Sequence, residues 1–183
     1  NEANAYDSLA EFHLNKGEFD LAIENYQLAF EVDPEFEWAT RNLALAKYQE
    51  KMSSEDAKVM RWTSESEEAR NAFNTGMWQL YNLEWEQAEQ SFSSAIELDE
   101  SFALAYAMRA RTNYFMQNQG RVAEDLDVAV SMSINASPEE KKMIMALSND
   151  NNLGTNSFNQ VVERLVRKYP DSSFLRFETI FAT

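Results

Sequence analysis

Cysteine is absent from the 183 residues. Disulfides and thiolate-bound metals are therefore excluded, while cytoplasmic and periplasmic locations both stay open. Glycine (4) and proline (3) are scarce, which disfavours the frequent tight turns of an all-β chain and suits long helices with short connections. Histidine occurs once, at His13, leaving little material for imidazole-based acid–base or metal chemistry. Positive charge is in deficit: 16 Lys and Arg stand against 31 Asp and Glu, a net −15. Such a surface repels phosphate backbones and anionic lipid, so nucleic acid and membrane surfaces are poor candidate partners. Long apolar runs are missing too. The longest uncharged apolar stretch, Phe102 to Met108, is far shorter than the ~20 residues of a bilayer span, and no membrane insertion is expected. The chain opens at Asn1 without a Met or a signal-peptide pattern, as a processed protein or a fragment would.

Hydrophobic residues make up 44% of the chain, enough for a packed core rather than a disordered polymer. Their arrangement repeats. One unit contains Ala5-Tyr6-Asp7-Ser8-Leu9-Ala10, Gly17, Phe19, Ala22, Tyr26, Ala29 and Asp33-Pro34. A second contains Gly76, Trp85, Ala88, Phe92, Ala95 and Asp99. The pairs Ala22/Ala88, Tyr26/Phe92 and Ala29/Ala95 are each 66 residues apart, two short of twice a 34-residue period. Small residues at Ala10, Gly76 and Ala110, and at Ala22, Ala29, Ala88 and Ala95, let paired helices approach closely, where larger side chains would force them apart. The aromatics between them fill the remaining space. Asp33-Pro34 closes a second helix, because the residue before proline is pushed out of the α region.

Taken together, these residues resemble the tetratricopeptide repeat. The resemblance implies an all-α chain, an α–α superhelix of about five helix pairs with a concave groove. In that frame residues 1–50 hold the N-terminal unit and a following first helix, Glu37 to about Gln49. Residues 51–66 keep almost none of the pattern and read as a degenerate half-repeat or linker, with a subdomain boundary near residue 60. Residues 67–183 hold further repeats: Phe102 to Met116 pairs with Val122 to Met132, and a helix from Ser137 to about Leu147 pairs with Phe158 to Tyr169. Ser64 with Glu67 reads as a capping box. Ser137-Pro138-Glu139-Glu140 is the strongest helix start, with Ser at N-cap, Pro at N1 and Glu at N3. Ser173 to Thr183 reads as a terminal helix cut short. From Ser66-Glu67-Glu68-Ala69-Arg70 to Tyr169-Pro170-Asp171, the order is similar to that of bacterial tetratricopeptide proteins.

Chemistry finds little footing. The glycines 17, 76, 120 and 154 are isolated, so no Walker loop or dinucleotide turn is present, and no nucleophile elbow occurs. Asp150 to Asn156 looks like a calcium loop, but its Gly falls at position 5 and Val161 stands where the bidentate Glu should be. Asp125 and Asp127 are two apart on a helix and cannot share a face. The expectation is no enzyme, no cofactor and no metal.

The resemblance instead implies a binding function: first helices line the concave side of such stacks and hold a protein or peptide. Carried onto this chain, the first unit presents Asn4, Asp7, Glu11, Leu14 and Asn15. Enrichment of aromatics, Met and Arg at binding surfaces singles out Trp38, Arg41, Tyr48, Arg70, Phe73, Met77, Tyr81, Arg111, Tyr114 and Phe115 as groove candidates. Arg70 and Arg111 are expected to anchor a carboxylate. Family members that clamp a chaperone's C-terminal carboxylate use Lys and Asn where this chain has Asp7 and Glu11, the wrong charge for that ligand. Two further expectations are self-assembly of copies through their end helices and service as the regulatory domain of a larger protein.

Overall fold

The repeat shows itself first in the turns. In the computed structural model, which describes residues 2–53, 58–149, 153, 157–172, 174 and 175, every regular element is helical among those residues. Helices α1 (Glu2–Asn15), α2 (Phe19–Val32) and α3 (Glu37–Ser53) belong to one compact unit. Helices α4 (Glu67–Tyr81), α5 (Trp85–Leu98), α6 (Ala103–Phe115), α7 (Gln119–Met132), α8 (Pro138–Ser148) and α9 (Ser157–Lys168) belong to a second, and the division falls between Ala57 and Lys58. Between α1 and α2, α4 and α5, and α6 and α7 the chain reverses through one residue with positive φ: Gly17 (75°), Leu83 (61°) and Gln117 (60°). The next amide closes the same ring each time, Glu18 to the His13 carbonyl, Glu84 to Gln79 and Asn118 to Asn113, at 2.9 to 3.0 Å. Glycine meets the left-handed requirement at position 17 without strain; the other two turns take it with larger residues.

Second helices also end alike. The amides of Asp33 and Asp99 bond to the Ala29 and Ala95 carbonyls at 3.0 Å, and both residues then turn extended. The fold is thus an all-α arrangement of adjacent pairs, α1·α2, α4·α5, α6·α7 and α8·α9, in the manner of an α–α superhelix. Among the described residues four such pairs are seen, with α3 packed on α2 and no helix in residues 58–66 to partner it.

The first unit is held by small residues. Ala3, Ala10, Ala22, Ala29, Ala39 and Ala46 are all buried at the interfaces between its helices, with Tyr26, Tyr48, Leu14 and Leu45 filling the space they leave. In the second unit the core centres on Phe73, whose ring lies 5.0 Å from Trp62, 4.9 Å from Phe102 and 5.4 Å from Phe92. Close approach of α4 and α5 explains Gly76: a Cβ there would meet the Phe92 ring at 2.8 Å. Arg109 of α6 clamps Asp125 of α7 through two bonds, 2.9 and 2.6 Å, and reaches Ser93 of α5 at 3.1 Å. Three helices are tied at one point. The i, i+2 argument about Asp125 and Asp127 holds for the helix, but Asp125 has turned inward to a partner that spacing could not reveal.

Of residues 51–66, read as a degenerate half-repeat or linker, residues 58–66 pack against the second unit. They run without regular structure across the second unit and bury Val59, Met60 and Trp62. Their backbone is held at intervals: the Lys58 amide by Asp171 at 3.1 Å, the Met60 amide by Ser172 at 2.6 Å and the Thr63 amide by Glu140 at 2.8 Å. The Trp62 indole donates to Asn74 at 2.6 Å and its ring also meets Phe174 at 5.1 Å. Ser64 donates to Asp99 at 2.5 Å, and its carbonyl accepts from Arg70. Consequently Ser66, not Ser64, caps α4, accepting the Ala69 amide at 3.0 Å.

The helix start at Ser137 matches its pattern. The Ser137 hydroxyl accepts the Glu140 amide at 3.2 Å, and Glu140 accepts the Ser137 amide at 2.8 Å. Ser137→Ala removes one of these bonds from an otherwise intact box and is expected to lower stability by about 1 kcal/mol. An earlier urea midpoint at unchanged slope is the readout; an unmoved midpoint would show that Glu140 alone holds the helix start. Beyond Leu175 the expected terminal helix lies outside the described residues, as does the Asp150–Asn156 loop apart from Leu153.

Candidate peptide-docking face

The side chains expected to line a groove divide between the two units, and their environments differ sharply. In the second unit the first-helix face is roofed by the chain itself. Phe73 and Met77 are 0% exposed and touch nothing outside the core. Arg111, 7% exposed, lies over the Phe158 ring at 4.7 Å and the Phe115 ring at 5.5 Å. Arg70 is spent on the Ser64 carbonyl. Tyr81 is half-buried with Phe174 6.2 Å away. Tyr114 is half-buried, and Phe115 alone is exposed, stacked on Trp85 at 6.2 Å. The expectation that Phe73, Met77, Arg70 and Arg111 face a ligand is therefore corrected. Residues 58–63, α9 and residues 174–175 occupy the face a partner would need.

A cavity of about 420 Å³ remains where residues 62–65 meet the start of α6 and the approach to α8. Two of its three carboxylates are committed, Asp99 to Ser64 and Ser101, Glu140 to Thr63 and Ser137, while Glu65 is exposed. Burial works against the Asp99 anion, yet hydrogen bonds from Ser101 and Ser64 hold its carboxyl below the ordinary range.

The first unit is different. Trp38 of α3 is 57% exposed, with the Arg41 guanidinium 5.3 Å from its ring. Asn42, one helical turn further on the same face, donates to Asp7 of α1 at 3.2 Å and so locks α1 and α3 side by side. Glu11, one turn beyond Asp7, is exposed, as are Asn4 and Asn15. Tyr48, expected on this surface, is 8% exposed and faces inward; burial pushes its phenol well above the usual range. The face that stays open is thus Trp38, Arg41 and Asn42 on α3 with Asn4, Asp7 and Glu11 on α1. His13 is turned aside, paired through Nδ1 with Glu18 at 2.6 Å.

Two features escape the sequence: Asn42, whose partner Asp7 lies 35 residues away on another helix, and the covering role of Trp62, because an irregular segment carries no periodic signal. Among the described residues no three His, Cys, Asp or Glu side chains gather as a metal site would require, and no helix is long and apolar enough to cross a membrane. In comparisons with known proteins no family model matches the chain, and no curated protein matches it significantly.

Proposed function

We propose that this chain is a tetratricopeptide-repeat protein whose task is to bind a peptide or protein segment rather than to catalyse a reaction, with the α1–α3 face of the first unit as its docking surface. The repeated turns and the small-residue contacts support the family; the resemblance then supplies the kind of function. One observation carries the choice of surface: Trp38 stands 57% exposed beside the Asn42–Asp7 contact. A large aromatic left in water on the first-helix side is costly to expose and is the residue type that most often dominates interface energetics. The other large aromatics on first helices in the second unit are covered to a greater degree.

The test uses the full chain and a displayed library of random 12-residue peptides. Selected peptides are expected to bind in the extended form, and Trp38→Ala should weaken them about 30-fold, the equivalent of a 2 kcal/mol hot spot. Leu98→Ala, which trims an exposed apolar residue of α5, should leave them unchanged. Peptides that are indifferent to Trp38→Ala would place the docking surface elsewhere.

A further inference from the structure

We propose that the face of the second unit closed by residues 58–64 is a binding groove, and that this stretch fills it in cis as an internal ligand. The partner that fits the groove is then a protein segment without regular structure that carries an apolar pair and, two residues on, a tryptophan. This surface is separate from the α1–α3 face, and the proposal does not rest on that reading.

The contacts are those of a bound segment. Residues 58–64 form neither helix nor strand, so their order comes from what they touch. Their main chain is taken up by groups far off in sequence. The Lys58 amide donates to the Asp171 carboxylate at 3.1 Å, and the Lys58 carbonyl accepts the Asp171 amide at 3.2 Å. The Met60 amide donates to the Ser172 hydroxyl at 2.6 Å and the Thr63 amide to the Glu140 carboxylate at 2.8 Å. These partners stand 77 to 113 residues further along the chain. The side chains divide as a ligand's do: Val59, Met60 and Trp62 are buried, while Lys58, Arg61 and Thr63 are exposed. Trp62 is the anchor, its ring 5.0 Å from Phe73 and 5.1 Å from Phe174, its indole donating to Asn74 at 2.6 Å. Main-chain bonds combined with side chains in pockets are how grooves read segments that lack structure, and a buried tryptophan is the commonest kind of anchor.

The receiving residues agree. Repeat position places Arg70, Phe73 and Tyr81 on a binding face, and here Arg70 holds the Ser64 carbonyl, Phe73 meets Trp62 and Tyr81 lies beside Phe174. That face is filled from within. Trp62 stands four residues before Ser66, which caps α4, so the tether is short and the effective concentration of the internal segment is on the order of millimolar. A competing segment at micromolar concentration therefore meets a filled groove in the wild type, and gains entry where the internal segment has been weakened.

The deciding experiment titrates a fluorescein-labelled peptide of the Lys58–Ser66 sequence by fluorescence anisotropy against three full-length proteins: wild type, Trp62→Ala, and Trp62→Ala with Ser172→Ala. Trp62→Ala is expected to bind the peptide at least tenfold more tightly than wild type, and to gain several degrees in melting temperature from it. A peptide with its tryptophan replaced by alanine should do neither. Ser172→Ala removes the acceptor of the Met60 amide and should weaken binding several-fold; adding Trp38→Ala should change nothing. Equal binding by wild type and Trp62→Ala, binding indifferent to Ser172→Ala, or binding lost with Trp38→Ala would each mean another surface and overturn the groove. No binding by Trp62→Ala would make residues 58–64 a fixed part of the core and overturn the internal ligand. If Trp62→Ala unfolds before it can be titrated, Met60→Ala, which empties a smaller buried site, carries the same comparison.

Discussion

Trp62→Ala is expected to destabilise the second unit by about 3–5 kcal/mol, the range for emptying a buried Trp site. Its melting transition should fall by roughly 10–20 °C. The indole is buried against Phe73 and Phe174, and its N–H satisfies Asn74, which would be left buried and unpaired. Loss of the ring also loosens the segment around it, whose neighbouring amides are held by Ser172 and Glu140. If residues 58–66 were the linker that their weak pattern suggests, the same substitution would fall within about 0.5 kcal/mol of zero, as surface changes do. Denaturant unfolding therefore separates the two descriptions, provided the transition of the second unit is followed separately from that of the first.

Asp125→Ala is the second large effect. It should lower stability by about 3–5 kcal/mol, because it strands the partly buried Arg109 guanidinium between three helices. Asp125 is almost wholly buried and accepts two bonds from Arg109, which Ser93 supports from α5. The companion experiment is Arg109→Met with Asp125→Leu. Replacing both charges by apolar groups of similar volume is often neutral or stabilising, so the double variant should regain most of the loss. A double variant as unstable as Asp125→Ala would show that the clamp is irreplaceable for packing these helices, whereas a mild Asp125→Ala would show that water reaches the guanidinium.

Elements recur in this chain wherever their cause is local. Helix spans and ends were legible because Asp33-Pro34 and Ser137-Pro138 act on their own backbone. Close helix contacts were legible because Ala22, Ala29, Ala88, Ala95 and Gly76 need only a neighbouring helix to explain them. The turn residues were legible at Gly17 and hidden at Leu83 and Gln117, which adopt the same positive φ without the glycine that advertises it.

The candidate site divides along the same line. Repeat position puts Asp7 on α1 and Phe73 on α4, each the leading helix of a pair, and Trp38 on α3, since it depends only on period and face. Whether such a residue meets solvent or core depends on what lies across from it. At Phe73, Met77 and Arg111 the covering groups are Trp62, Phe158 and Phe174, or the ring cluster around them. Trp62 arrives from 11 residues before Phe73 through a segment with no periodicity, and Phe158 from α9, 47 residues beyond Arg111. At Trp38 no such cover is present among the described residues, and 57% of it faces water. Helical period and close packing were thus determined by the sequence itself, because each side chain acts on its own turn and the next helix. Which first-helix face is sealed and which stays open was decided only by tertiary structure, because burial is a property of distant partners that local pattern does not encode.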